Sequence, residues 1–304
     1  MIENGVFSGL VSAIEHEIAT QPGVWRRAAA LAPTVAELLP PVGTRLAVVG
    51  CGTSLYMAQA YAAAREAAGA GETDAFPASE FPRGRVYDAL LAISRSGTTT
   101  EVVRALAPLP RTLPTYAVVG AEQTPVAISA HHSVVLDFAD EVSVVQTRFA
   151  TTALVLLLAG IGADTEAAAV QAELALADDL PAGSEAASSF VFLGRGWTVG
   201  LANEAALKLR EAALVPAESY PALEYRHGPI ALADTHTVVW PLGDTDGDLL
   251  ADVRAAGAGV VESNRHPLAD LVLVQRVALA LAQARGLDPD HPRNLTRSVV
   301  LASQ

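Results

Sequence analysis

This chain of 304 residues has one cysteine, one lysine and no cluster of basic residues, and each shortage excludes something. A lone Cys51 rules out an internal disulfide framework and suits a reducing cytoplasm. Lys and Arg together number 20 against 33 Asp and Glu, for a formal net charge of -13. Nucleic acid and anionic membranes demand a basic face, so neither is expected as a partner. The longest apolar run, residues 150–163, is too short to span a bilayer. The first residues, MIENGVFSGLVSAIEHEIATQP, are acidic and lack the basic n-region of a signal peptide. A soluble cytoplasmic protein is the expectation.

Metal and dinucleotide signatures are missing too. His131 and His132 are adjacent and point apart on an extended chain, while His16, His236, His266 and His291 have no partners at ligand spacing. The Gly50-Cys51-Gly52 turn has Leu55 where a dinucleotide fingerprint places its third glycine. No metal and no cofactor are expected. Cys51, at the end of an apolar strand, reads as a small packing residue.

What is present centres on residues 190–234. An apolar run, Phe190-Val191-Phe192-Leu193, reads as a buried parallel strand. A turn, Gly194-Arg195-Gly196, leads into an Ala- and Leu-rich helix on which Glu204, Lys208 and Glu211 fall at i, i+4 and i+7, on one face. Such a stripe is ordinarily a solvated set of ion pairs. Here it follows a strand-turn of the kind that faces a ligand crevice, and Lys208 is the only lysine in the chain. Lysine can release a proton or form a Schiff base, and arginine can do neither. His227 follows, between Arg226 and Gly228-Pro229. A carboxylate, an amine and an imidazole together can move protons around a small polar substrate.

The same plan occurs earlier in the chain. After a helical segment over the first 40 or so residues, punctuated by Pro22 and Pro33, the strand 46–49 enters Gly50-Cys51-Gly52-Thr53-Ser54 and an Ala-rich helix. Extended segments near 73–76, 90–93, 115–119 and 134–136 continue a βαβ series, and a helix over about 146–160 closes it. Strands at 190–193 and 238–241 repeat the pattern, which implies an α/β protein of two stacked doubly wound parallel units. The boundary is expected between 162 and 188, with Pro181-Ala182-Gly183-Ser184 as the most linker-like stretch, giving units 1–170 and 171–304.

The strand at 90–93 runs into Ser94-Arg95-Ser96-Gly97-Thr98-Thr99-Thr100-Glu101. One helix cap needs one hydroxyl, and five stand here. Hydroxyls and free amides at a helix start bind phosphate without formal positive charge.

The segments GCGTS, SRSGTTTEV, NEAALKLREAALVPAESY, EYRHGPIAL and DPDHPRNLTRSV together resemble the double-SIS (sugar isomerase) phosphosugar family, above all the isomerase half of glucosamine-6-phosphate synthase. The likeness covers residues 15 to 304, shortened near 244–270. It implies two tandem SIS domains with a C-terminal tail folding over the site. It implies a homodimer acting on a sugar phosphate. Gly52, Thr53, Ser54, Ser94, Ser96 and Thr99 would hold the phosphate, with Arg95 where the synthase has glutamine. Glu211 would shuttle a proton between C1 and C2, beside Lys208 and Glu204. His227 would assist ring opening, from the partner subunit, and a tail bearing Arg293 and Arg297 would close the site.

Two departures shape the expected reaction. Met1 leads straight into the sugar-domain segments, without the synthase's glutaminase and its N-terminal cysteine. Arg297 aligns with the lysine that forms a Schiff base with fructose-6-phosphate, so any imine would need Lys208 or free ammonia. The resemblance therefore points to breakdown, glucosamine-6-phosphate to fructose-6-phosphate plus ammonia. A fructosamine-6-phosphate deglycase and a non-catalytic phosphosugar sensor are the alternatives.

Overall fold

The computed structural model describes residues 12–302. The chain enters through α1 (Ala13–Leu31) and reaches β1 (Leu46–Gly50), an apolar strand buried at every position. A strand buried on both faces belongs in a parallel sheet covered from two sides. Then follow α2 (Thr53–Ala67), β2 (Thr73–Pro77), β3 (Ala89–Ser94), α3 (Thr100–Leu106), β4 (Thr115–Val119), α4 (Pro125–Ser129), β5 (His132–Val135) and α5 (Arg148–Gly160). The five strands lie parallel in the order β2-β1-β3-β4-β5.

The second half runs through α6 (Glu166–Ala177), β6 (Ser189–Gly194), α7 (Thr198–Lys208), β7 (Ala217–Pro221), β8 (Thr237–Leu242), α8 (Gly247–Ala255), β9 (Gly259–Val260) and α9 (Pro267–Ala284). Its sheet is again parallel, in the order β7-β6-β8-β9. The α/β class and the two parallel sheets flanked by helices are as the sequence led us to expect.

Strand alternation explains how the halves join. Leu46 and Val48 of β1 and Phe190 and Phe192 of β6 all face one core, which α1, α2, α5, α6, α7 and α9 fill. Ala47 and Val49 face a separate cluster, and Val191 and Leu193 another. Within the common core α2 packs on α7. Gly200 permits the close approach, since a Cβ there would stand 2.5 Å from the Tyr56 carbonyl oxygen and 2.6 Å from the Ala60 nitrogen.

Three details differ from the reading above. Pro22 does not punctuate the first helix but lies buried inside α1. Proline leaves the carbonyl four residues back without its helical donor, and the Gln21 amide donates to that oxygen, on Ile18, at 3.3 Å. The range 162–188, expected to hold the boundary, contains a helix, α6, whose Ala168, Ala169, Ala172 and Ala175 are buried, and Pro181-Ala182-Gly183-Ser184 follows it outside any helix or strand. Finally, α9 is longer than the 150–163 run. By length and composition it could cross a membrane, with mean hydropathy 1.3, yet 72% of that window is buried inside the fold as a core helix.

Replacing Gly200 with Ala forces a methyl into backbone atoms at the α2–α7 crossing. We expect a loss of about 2–3 kcal/mol in stability, read as a lower urea midpoint with unchanged slope. A midpoint equal to wild type would mean the helices separate freely there.

Candidate active site

β1 and β3 are hydrogen-bonded neighbours, and from them the chain leaves toward opposite edges of the sheet. Such a switch point leaves a crevice outside the strands' carboxyl ends. The turn after β1 lies there, with Gly52 at φ 54° and ψ −128°, a conformation that favours glycine. That turn starts α2 at Thr53, and Thr53 and Ser54 are both buried.

Thr53 meets the second half of the chain through Lys208. The Lys208 ammonium donates to Thr53 Oγ1 at 3.0 Å and to Glu211 Oε2 at 2.6 Å, and lies 3.3 Å from Glu204 Oε1. Three donors thus face three oxygens. Lys208 and Glu204 are 1% exposed and Glu211 20%, so Glu211 is the member a ligand can reach. Burial disfavours the lysine's charge, but the two carboxylates outweigh it and hold its pKa above the ordinary lysine value. An amine held as ammonium is a poor Schiff-base former, so the cluster fits proton movement better than imine chemistry. Burial pushes Glu204 up to about 7 against the pull of Lys208.

The helix under this cluster is irregular. α7 is α-helical to Lys208 and then widens into a π-helical turn, Leu209–Ala213, capped by Leu214 in the left-handed region (φ 53°).

The hydroxyl-rich segment forms a second cluster. Ser94 Oγ accepts from the Gly97 amide at 3.2 Å and Ser96 Oγ from the Thr98 amide at 3.2 Å. The C-terminal tail crosses it. Ser96 Oγ donates to Ser298 Oγ at 3.1 Å, Thr98 Oγ1 lies 2.8 Å from the same atom, and the Thr100 amide donates to the Val299 carbonyl at 3.1 Å. Beneath, a cavity of about 30 Å³ is lined by Ser54, Ser94, Ser96, Thr99, Gln146 and Arg297, among others.

Arg95 and Arg297 are present, but their guanidinium groups are committed within the protein. Arg95, 1% exposed, donates to the carbonyls of Ser143, Val144 and Arg297 at 2.8, 3.1 and 3.1 Å. Arg297 donates to both oxygens of Asp140 at 2.6 Å and to the Glu141 carbonyl. Together they strap the tail. His227 and Arg293 are exposed and join neither cluster.

Sequence reading missed Gln146, whose buried Oε1 has no partner among the described residues, and Ser298, which meets the hydroxyl loop. Neither carried a signal, since a lone amide or hydroxyl in a polar segment looks like any other. Cys51 also borders the cavity, half-buried, its thiol pushed up by burial and by Glu101.

The chain matches no protein-family model. It is 31% identical over 304 aligned positions to the isomerizing glutamine–fructose-6-phosphate aminotransferase of Methanothermobacter thermautotrophicus, an alignment covering 84% of this chain and 52% of that protein. The chain spans about half the length of the curated relatives it matches. Among solved structures, a glucosamine-6-phosphate deaminase from Thermotoga maritima superposes with TM-score 0.80 at 26% identity, covering 95% of this chain and 100% of that one. A tagatose-6-phosphate ketose/aldose isomerase from Escherichia coli gives 0.76 at 22% identity, covering 96% of each, which is a likeness of fold.

A carboxyl raised in the folded state adds stability that is complete below its ordinary value of 4.5 and lost as pH rises through about 7. Asp270, pushed up to about 6 by burial, adds a change of the same sign. These two groups therefore contribute a decline in stability as pH rises from about 4 to 7, that of Glu204 being on the order of 3 kcal/mol. Glu204→Gln should shrink the difference between urea midpoints at pH 5 and pH 8. An unchanged difference would assign the titration to other groups.

Proposed function

We propose that this protein is a phosphosugar isomerase that deaminates an amino-sugar 6-phosphate, converting glucosamine-6-phosphate and water to fructose-6-phosphate and ammonia. The observation that carries the proposal is the cluster of Glu211, Lys208 and Glu204 on Thr53, at the switch-point crevice that also holds the Ser94, Ser96 and Thr99 loop. The full-length superposition on a glucosamine-6-phosphate deaminase supports it.

In the proposed reaction the phosphate lies against the hydroxyls of Ser94, Ser96 and Thr99 and the turn at Gly52, Thr53 and Ser54. A cavity of about 30 Å³ holds little more than a water molecule, so the tail lifts at Ser298 as the phosphate enters. Glu211 takes the C2 proton of the open-chain sugar, and the electron pair moves onto the C1 carbonyl to give an enolamine. Reprotonation at C1 leaves an imine at C2, where water adds and ammonia departs. Lys208 stays an ammonium throughout, steadying the Glu211 carboxylate and the oxygen that gains charge. Arg297, bidentate on Asp140, fastens the closed tail instead of forming an imine.

The exposure of His227, apart from the lysine cluster, fits its use in the site of a second copy, and we propose a homodimer on that ground. A sugar phosphate is the proposed small-molecule partner, and the lone cysteine suits a cytoplasmic location.

The test is release of ammonia and fructose-6-phosphate from glucosamine-6-phosphate by the purified chain. Glu211→Gln should lower turnover by about 10²–10⁴-fold, and unphosphorylated glucosamine should not react. A variant with near-wild-type turnover would remove Glu211 as the base. No release by the wild type, with fructosamine 6-phosphates cleaved instead, would make the protein a deglycase. If neither reacts while glucosamine-6-phosphate still raises the melting temperature, the site is a sensor's.

Ser96→Ala and Thr99→Ala should raise KM for the phosphorylated sugar more than they lower kcat, because they remove contacts made equally in the ground and transition states. Steady-state kinetics of the two variants will read this directly.

A further inference from the structure

The two halves of the chain carry the same four residues at the end of the same helix, in different structural roles. Arg65-Glu66-Ala67-Ala68 ends α2, and Arg210-Glu211-Ala212-Ala213 follows α7. Each arginine reaches the first residue of the next strand, Arg65 from a buried position and Arg210 from an exposed one. Arg65 donates to Thr73 Oγ1 at 2.7 Å, and Thr73 is the first residue of β2; Arg210 donates to the carbonyl of Ala217, the first residue of β7, at 2.6 Å. The caps behave alike as well, with Gly69 at φ 68° and Leu214 at φ 53°.

The glutamates diverge. Glu66 accepts from the Thr73 amide at 2.8 Å and so anchors its helix to the next strand. Glu211 instead meets Lys208. Chain length accounts for the difference. From Gly52 to Thr73 and from Gly196 to Ala217 the separation is the same, but Arg65 is thirteen positions after Gly52 and Arg210 is fourteen after Gly196. The second helix has gained a residue and the turn after it has lost one. The backbone records this: the Ala70 amide donates to the Arg65 carbonyl, five positions back, whereas the Val215 amide reaches the Leu209 carbonyl, six back. The additional residue sits in the π-helical turn, a common way to absorb an insertion and one frequent at functional sites. Leucine at the left-handed cap, where the first half has glycine, costs about 1–2 kcal/mol.

We propose that the shortened turn between Glu211 and Ala217 is a positioning device, holding the helix end in a π-turn that withdraws Glu211 from the strand and aims it at Lys208. Its catalytic meaning rests on the deaminase reading above; its geometry does not.

The test gives Glu211 the spacing to its strand that Glu66 has, seven positions instead of six. Residues 212–216 (AALVP) are replaced by the sequence of residues 67–72 (AAGAGE), which adds one residue after Glu211 and a glycine at the cap and leaves Glu204, Lys208 and Glu211 untouched. Because Lys208 is the only lysine, ¹³Cε-lysine labelling gives a single resonance whose pH titration reports its carboxylate partners without any substrate. The variant's lysine titration should fall by about one pH unit or more, toward that of Glu211→Gln, and turnover should fall with it. A titration and turnover equal to wild type would overturn the proposal. So would a wild-type crystal structure with regular α-helical hydrogen bonds through Ala213 and Glu211 still on Lys208, an outcome that needs no variant to fold. If the lysine titration moves but the wild type turns over no amino-sugar phosphate, the positioning stands and the deaminase reading falls.

Discussion

A single buried ammonium group holds the two halves of the crevice in register. Lys208 ends the α-helical part of α7, and its charge is satisfied by two carboxylates from its own helix and one hydroxyl from the start of α2. Taking such a charge out of water is costly unless it is fully paired. The cost enforces geometry, because any shift of α2 against α7 breaks the Thr53 bond and leaves a donor with no acceptor. Gly200 makes the required approach of the helices possible. A planar guanidinium needs a different arrangement of acceptors, which gives a physical reason for a lysine here in a chain that otherwise uses arginine.

A second set of charges governs the other wall. Glu17 accepts from the Val142 and Ser143 amides, and Glu141 accepts from Thr147 and Arg148 at the start of α5. This frame presents carbonyl oxygens to Arg95 and Arg297, and the arginines bind the tail. Asp290 starts the tail by accepting from the Ala13 and Ile14 amides, where α1 begins. The tail is therefore fixed by charge at Asp290 and Arg297, and beyond Arg297, where it crosses the Ser96 loop, hydroxyls and two backbone amides, of Thr100 and Leu301, hold it.

Much of this was legible in the sequence, for reasons particular residues make clear. Fully apolar runs such as Leu46-Ala47-Val48-Val49 announce parallel strands, and the glycine turns after them mark the crevice. Lys208 was conspicuous by composition, and its carboxylate partners by helical spacing. The π-turn was not legible, because spacing arguments presume 3.6 residues per turn and the one-residue offset between the halves has no place in the helix until the hydrogen bonds locate it. Pro22 was misread because the compensating donor, Gln21, is an ordinary polar side chain until its position is known. Arg95 and Arg297 stood at expected positions, but what a guanidinium binds depends on carbonyls brought from residues 140–144, which no local pattern reveals.

The core common to both sheets also constrains how the molecule is made. Phe149 and Phe192, from opposite halves, belong to one apolar cluster, and Gln21 of α1 bonds Gln275 of α9 at 2.6 Å. A nascent chain therefore cannot close its inner core until α9, beginning at Pro267, has left the ribosome. Until then the inner faces of β1 and β3 have only part of their cover, and helices α2 and α5 expose apolar sides that await partners. Long-range closure of this kind slows folding and leaves sticky surface open in the interval. The order of synthesis thus makes residues 267–302 both a late completion of the core and the cover of its crevice.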